Sequence, residues 1–240
     1  MEKLPKYVIN LERDKHKLKR FNKEMVKQDI SYDIWRGAII KNIEDLNNFK
    51  NKHSFTKGTT TVNFPGNVGS AFAHLSLWKY CLKQPSNYYM IFEDNCVLKD
   101  NFVENVNYYL LNIKKIDFFN LNVIRPYGFT NDNILFKYKS IKEFPYPPPN
   151  TWMSSYIISK RLMYYILNIS KNINYDKMPI DKIVMYYFNE IETINYYSIN
   201  TNIFTTHIEQ DTDTRKLLNK NKKMDIESFI TENPLDGGCV

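Results

Sequence analysis

Long apolar runs are missing from this chain. No stretch approaches the ~18 residues that mark a transmembrane helix, so no membrane span is expected. The N-terminus, Met1-Glu2-Lys3-Leu4-Pro5-Lys6, lacks the apolar stretch of a signal peptide. A soluble protein is the expectation, in the cytoplasm or, for a viral protein, in the host cytoplasm. Cysteine is scarce and odd in number: Cys81, Cys96 and Cys239. They form no metal-ligand or redox spacing and exclude a disulfide framework, so a reducing compartment is the default. Alanine occurs three times against 29 asparagines. With abundant Lys, Ile and Tyr, this suggests an AT-rich coding genome, which raises lysine content for no functional reason.

What remains is an ordinary globular composition: 240 residues, 43% apolar and 25% charged. That is enough chain for a sizeable core, and disorder and collagen are excluded. The net charge of +7 invites a nucleic-acid reading. Residues 1–60 hold 14 Lys/Arg and 8 Asp/Glu, a net of +6, so the excess sits in the first quarter. Most of it lies between Lys15 and Lys27, where it reads as the solvated face of one helix. That helix offers no aromatic interleaving on its outer face, and no nucleic-acid partner is expected.

The pattern predicts a strand over Tyr7–Leu11 and a helix to about Lys27, with Asp14 at its start and Leu18, Phe21 and Met25 on its buried face. Tyr32–Arg36 reads as a strand ended by Gly37, and Ile43–Phe49 as a short helix. Phe55–Asn67 reads as loop and Val68–Leu82 as a helix. Tyr88–Phe92 is a continuous apolar run, as expected of a central strand covered on both faces. A helix over Asn101–Ile113 and strands at Phe118–Ile124 and Ile134–Tyr138 follow. Phe144–Pro149 reads as a stiff loop. Trp152–Ser159 reads as a strand and Lys160–Ile169 as a helix. Pro179 opens another helix through Phe188, and a last strand lies within Tyr196–Phe204. Alternating strands and helices imply an α/β fold with a mixed, mostly parallel sheet flanked by helices. No repeat or linker divides it: one domain is expected over 1–210, with a polar tail over 211–240.

The sharpest feature is Glu93-Asp94-Asn95, directly after the central strand. Ligands of open α/β sheets bind outside such strand ends. Adjacent carboxylates there repel one another unless a cation or hydrogen-bond donors offset their charge. Hard cations such as Mn²⁺ or Mg²⁺ take oxygen ligands and bridge to phosphates. A solvated turn is the competing reading.

Two further segments give that tripeptide a context. Tyr7-Val8-Ile9-Asn10-Leu11-Glu12-Arg13 opens the chain, and Gly66 and Gly69, Ala73-His74 and Trp78 precede the acidic tip. Their order and spacing resemble glycosyltransferase family 25, which includes lipopolysaccharide glycosyltransferases and procollagen galactosyltransferases. Trp152–Lys160 and Met178-Pro179-Ile180-Asp181 extend the likeness, which covers about residues 5–210. The resemblance implies a GT-A-type, Rossmann-like fold and a UDP-sugar donor. It implies inverting, metal-assisted transfer of a hexose, with galactose expected, to a hydroxyl of a glycan or of hydroxylysine in a collagen-like chain. Asn10, Leu11, Arg13, Gly69, His74, Glu93 and Asp94 are then donor-site candidates. Asp94, Asn95 and His207 are candidate ligands for Mn²⁺ or Mg²⁺. Asp181, in the first turn of a helix whose dipole favours the ionised form, is the candidate base; simple helix capping competes with that role. For His74 the competing reading is a buried structural histidine, and for His207 an exposed loop position.

The family pattern ends in Asp where this chain has Asn95. An amide oxygen still coordinates a cation, but without charge, which opens the alternative of a weakened or inactive domain that binds without turnover. Asn95→Asp is therefore expected to raise Mn²⁺ affinity. Calorimetric titration of both proteins checks this, and equal affinities contradict it.

Overall fold

The computed structural model describes residues 1, 3–40, 44–45, 48, 65–122, 135–138, 153–169, 180–181, 184, 194–199 and 203–207. The chain divides into Met1–Ile208 and Glu209–Val240, and every described residue belongs to the first unit. The elements are β1 (Lys6–Asn10), α1 (Lys15–Lys27), β2 (Asp33–Arg36), α2 (Pro65–Cys81), β3 (Tyr88–Glu93), β4 (Cys96–Leu98) and α3 (Phe102–Asn112). They continue with β5 (Phe118–Asn120), β6 (Leu135–Tyr138), β7 (Ser155–Ser159), α4 (Lys160–Ile169), β8 (Tyr196–Ile199) and β9 (Thr205–His207).

Seven strands form one sheet in the order β2-β1-β3-β7-β5-β8-β6. β1 pairs in parallel with β2 and β3, and β5 with β8, while β7 and β6 run against their neighbours. Five of the seven strands therefore point one way. This is the helix-flanked, mostly parallel α/β sheet that the sequence implies. β4 and β9 form a separate two-stranded ladder.

Both faces of the sheet are covered, and alternation along each strand decides which side chain goes where. Tyr7, Ile9, Tyr89, Ile91, Phe118, Tyr156, Ile158 and Tyr196 pack with residues of α2 and α4, among them Trp78, Leu162 and Ile166. Val8, Met90, Phe92, Phe119, Ile157 and Tyr197 pack with Phe21 and Met25 of α1 and with Phe102, Val106 and Tyr109 of α3. Consecutive aromatics in the strands thus serve opposite cores: Phe118 stacks on Tyr156 and Tyr196, while Phe119 meets Tyr109 and Phe204. On the helices the rule differs, and Tyr108 and Tyr164 face solvent.

The chain leaves β1 in one direction across the sheet to reach β2, then returns past β1 to β3. Right-handed crossovers in opposite directions put their helices on opposite faces. The clusters show this: α1 covers one face and α2 the other. The strand order reverses between β1 and β3, and the crevice at that reversal is where an open α/β sheet takes its ligand.

Several boundaries depart from the sequence expectation. α2 begins at Pro65 rather than Val68, because proline suits the first helical position. Lys17 of α1 is buried, 3% exposed, rather than solvated, since Asp14 lies 3.0 Å away and balances its charge. Asp14 precedes the helix, but its carboxylate bonds Lys17 and caps nothing. β4 was not anticipated. The last strand expected within Tyr196–Phe204 is β8, and β9, beyond Phe204, was not anticipated either. The Phe144–Pro149 loop lies outside the described residues, as does most of the Ile43–Phe49 helix. Of the Pro179–Phe188 helix, Ile180, Asp181 and Val184 are described and helical.

At the strand ends opposite the crevice, one buried carboxylate ties three elements. Asp117 accepts bonds from Arg161 Nε (2.8 Å), Asn195 N (2.9 Å) and Asn195 Nδ2 (3.0 Å), and from Ser159 Oγ (3.2 Å). Burial works to raise its pKa, but Arg161 and Asn195 outweigh that and hold it below the usual carboxylate value. A folded pKa below the unfolded one means that this contribution is present above pH ~4 and is lost as pH falls further. Asp117→Ala leaves the Asn195 donors unmatched beside a partly solvated Arg161 and is expected to cost about 1–3 kcal/mol at neutral pH. Urea denaturation at pH 7 and pH 3.5 checks both statements; an unchanged midpoint at pH 7 contradicts them.

Candidate active site

Three parallel strands deliver their last residues to the crevice: Asn10 from β1, Arg36 from β2 and Glu93 from β3. Asn10 is buried and its amide is fully used. Nδ2 donates to Asp94 Oδ2 at 2.6 Å and to the Asp14 carbonyl at 3.2 Å, while Oδ1 accepts from Arg36 Nη1. Backbone bonds repeat the connection: Asp94 N donates to Ile9 O at 3.2 Å, and Gly37 N to Asn10 O at 3.0 Å. A Cβ at Gly37 would sit 2.9 Å from Leu11 Cδ2, so glycine lets the chain leave β2 close against Leu11 without displacing that side-chain tip. Arg36 is held in turn by Glu12, 3.2 Å from Nε.

Asp94 and Asn95 are each only 7% exposed. Burial pushes the Asp94 carboxyl up to about 6, against the opposing pull of the Asn10 bond and the Lys17 charge; Glu93 and Asp14 add to the rise. Asn95 Oδ1 is buried with no hydrogen-bond partner among the described residues, and so is Asn122 Oδ1. Such an orphan costs about 1–3 kcal/mol. Asn122 lies just beyond β5, bridged to Thr205, and its Nδ2 is committed to Ser154 Oγ. Ser154 O in turn takes the Glu93 N–H at 2.7 Å and the Cys96 thiol at 2.8 Å. The site therefore offers unmatched carbonyl oxygens beside a carboxylate whose charge is penalised. This donor set suits a ligand that brings positive charge or hydroxyl protons.

His74 comes from the middle of α2 and is sealed in the core. Its Nδ1 meets the Tyr156 hydroxyl at 2.6 Å and its Nε2 meets Glu93 Oε1 at 3.3 Å. With both nitrogens engaged, His74 reaches the crevice through Glu93. Asn10, His74, Glu93 and Asp94 are thus all bonded into the crevice wall. Leu11 is half-buried beneath Gly37, and Arg13 is exposed on the turn after β1. Gly69 serves packing: a Cβ there would lie 3.2 Å from Ala38 O, so glycine seats α2 against the chain leaving β2. Asp181 is half-buried on a helical turn whose Ile180 and Val184 enter the core. His207 is placed by its backbone, opposite Cys96 in the β4–β9 ladder. Among the described residues, no group of three His, Cys, Asp or Glu could hold a metal ion.

Sequence reasoning missed Arg36, Asn122 and Tyr156. The first two were within reach of the strand-end rule that found Glu93. Tyr156 had no local signal, because its partners lie 82 and 78 positions away.

The raised Asp94 pKa has a measurable consequence. A folded pKa above the unfolded value favours folding while the group is protonated, and that support is lost as pH rises through about 6. Asp94→Asn keeps an oxygen for Asn10 and removes the penalty. It is expected to stabilise the protein by about 1–3 kcal/mol at pH 8, with the gain gone by pH ~4. Denaturant titration at the two pH values checks this; a destabilised variant at pH 8 contradicts it.

The family model described as glycosyltransferase family 25 (LPS biosynthesis protein) matches residues 3–184. A Haemophilus influenzae protein named "Putative glycosyltransferase" is 25% identical over 183 residues, 74% of this chain and 61% of that protein. The "Lipooligosaccharide biosynthesis protein lex-1" of the same organism is 23% identical over 184 residues, 66% of this chain and 59% of its own length. This chain therefore spans about three-fifths of each relative. In backbone it is similar to a glycosyltransferase involved in glycosylation of the major capsid of PBCV-1, with 8% identity, 91% and 98% of the two chains covered and a TM-score of 0.49. The match over residues 3–184 takes in the crevice strands, the acidic tip and the helical turn of Asp181, and on it the chain belongs to glycosyltransferase family 25.

Proposed function

We propose that this chain is a glycosyltransferase that moves a hexose, with galactose the leading choice, from a UDP-sugar to a hydroxyl of a surface saccharide. One observation carries the reading: in a family 25 chain, the acidic tip stands at the strand-order reversal with Asn95 Oδ1 buried and unmatched beside Asp94. The name of the lipooligosaccharide relative favours a saccharide acceptor over a collagen-like one. No helix among the described residues is long and apolar enough to cross a membrane.

The donor set fits a hard divalent cation, since the unmatched Asn95 oxygen and the penalised Asp94 charge both gain from one. Asp94 and Asn95 would hold it, with His207 a further candidate. Bound there, it would neutralise the charge that develops on the diphosphate leaving group. The chain's own residues do the remaining work. Asn10 and Arg36 fix the crevice wall, and Asn10 aims the Asp94 carboxylate. Arg13, exposed after β1, offers a positive charge to the nucleotide. Asp181 takes the proton of the acceptor hydroxyl as its oxygen bonds to the anomeric carbon. The bond from that carbon to the diphosphate breaks, and UDP leaves with the electron pair, which inverts the configuration.

A second reading has its own support. Asn95 replaces a carboxylate, and no three-residue group of His, Cys, Asp or Glu is present among the described residues. A domain that binds donor with little turnover would look like this.

A panel of UDP-sugars with Mn²⁺, scored by thermal shift and by UDP release, separates the two. UDP-galactose is expected to raise the melting temperature and release UDP, and Asp94→Ala to lose at least ~100-fold of the release rate. Stabilisation without release supports the binding-only reading, and a flat panel contradicts both.

A further inference from the structure

The layer that α1 and α3 build on one face of the sheet carries two features on its outer surface, a row of lysines and a set of bare aliphatic side chains. Phe21 and Met25 fix the buried stripe of α1. At 3.6 residues per turn, Lys15, Lys19, Lys23, Val26 and Lys27 fall on the side opposite that stripe, and all five are exposed. Glu12 lies 3.6 Å from Lys15, and Asp100 lies 2.7 Å from Lys27. Lys19 and Lys23, in the middle of the row, meet no acidic group among the described residues.

The aliphatic groups stand on the same face. The end of α1 is tied to the start of α3, where Gln28 Nε2 donates to the Lys99 carbonyl at 2.8 Å. Phe102, Val106 and Tyr109 turn α3 into the core that α1 also covers. That stripe leaves Leu111 on the far side, 88% exposed, with Tyr108 exposed one turn earlier and Glu104 an exposed acid on the same helix. On the edge strand β2, Ile34 is in register with Val8, so it points to the face that α1 covers and is also exposed. Val26, Ile34 and Leu111 are the exposed large aliphatic side chains among the described residues, and all three belong to this face. The opposite helices expose Tyr80 and Tyr164, whose hydroxyls suit water.

A lysine row by itself suits any polyanion. Bare aliphatic side chains gain nothing from a soluble polyanion, whereas a lipid interface takes both kinds of group. We infer that this face lies on an anionic lipid surface, with the α1 lysines against the head groups and Val26, Ile34 and Leu111 at the acyl boundary. The crevice then comes to the membrane at its rim, because α1 starts beside Asn10, whose Nδ2 donates to the Asp14 carbonyl at 3.2 Å. That placement suits an acceptor saccharide carried on a lipid. Its use in transfer rests on the saccharide reading; the docking does not.

Co-sedimentation of the full chain with lipid vesicles tests this, using phosphatidylcholine alone and phosphatidylcholine mixed with phosphatidylglycerol. The chain is expected to bind the anionic vesicles at least ~20-fold more tightly than the neutral ones, and less tightly as salt rises. Lys19→Glu combined with Lys23→Glu is expected to weaken anionic-vesicle binding by at least ~20-fold, at about fivefold for each lysine lost. Val26→Ser combined with Leu111→Ser keeps every charge and is expected to weaken it about 5- to 20-fold. All four positions are exposed, so circular dichroism should be unchanged in both double variants. Dextran sulfate, a soluble polyanion, is the rival probe: binding to it as tight as to the anionic vesicles, and indifferent to the serine pair, overturns the lipid assignment. So does equal binding to the two kinds of vesicle, no binding to either, or unchanged anionic-vesicle binding in either double variant. If the chain docks on vesicles but binds no UDP-sugar, the functional reading fails and the docking stands.

Discussion

The Asn10 amide is the joint on which the crevice depends. Two of its donors and one acceptor are spent on three different parts of the chain: the acidic tip after β3, the turn into α1 and the arginine that ends β2. No other residue type of that size offers two donors and an acceptor on one planar group. Because the amide is buried, each bond operates at low local dielectric and leaving one unmade is costly. The consequence is positional: Asp94 cannot drift without orphaning Asn10, and Arg36 cannot leave without exposing the amide oxygen to an unmatched environment. Three strand ends are thereby held as one surface.

That rigidity sets up the tension at the tip. A carboxylate kept in place by a neutral amide is oriented but poorly neutralised, which is why burial still pushes Asp94 up to about 6. Next to it, Asn95 is aligned by the same turn, and its oxygen has no partner among the described residues. A protein selected for stability alone would fill such a place with matched groups; unmatched polar atoms at a strand-order reversal mark a surface shaped for something that arrives. The Trp78–Tyr156–His74 row works from the other side and meets Glu93 at Oε1. Front and rear constraints thus converge on two adjacent carboxylates.

Much of this was legible in the residues because local rules govern it. The continuous apolar run of β3 announced a central strand, and the rule that ligands gather at such strand ends led to Glu93-Asp94-Asn95. Asn10 was found through its place in an ordered set of motifs, and the backbone of α4 fell on the expected span, Lys160–Ile169. What escaped was decided by distant partners. Lys17 looked solvated because its burial depends on Asp14 turning away from the helix cap it was expected to fill. β4 is three residues long and exists through pairing with β9, more than a hundred positions later. Tyr156 read as one more core aromatic until its hydroxyl was found between an indole and an imidazole.

The central claim is that the ligand enters at the ends of β1 and β3. Hydrogen exchange, followed by mass spectrometry on the full chain with and without saturating UDP-galactose and Mn²⁺, tests it most directly. The account predicts slowed exchange over Asn10–Asp14, Arg36–Ala38 and Glu93–Cys96. No change should appear at the opposite ends of the same strands, around Lys3–Lys6 and Asp29–Ser31. Slowing confined to those opposite ends, or none anywhere at saturation, would contradict it.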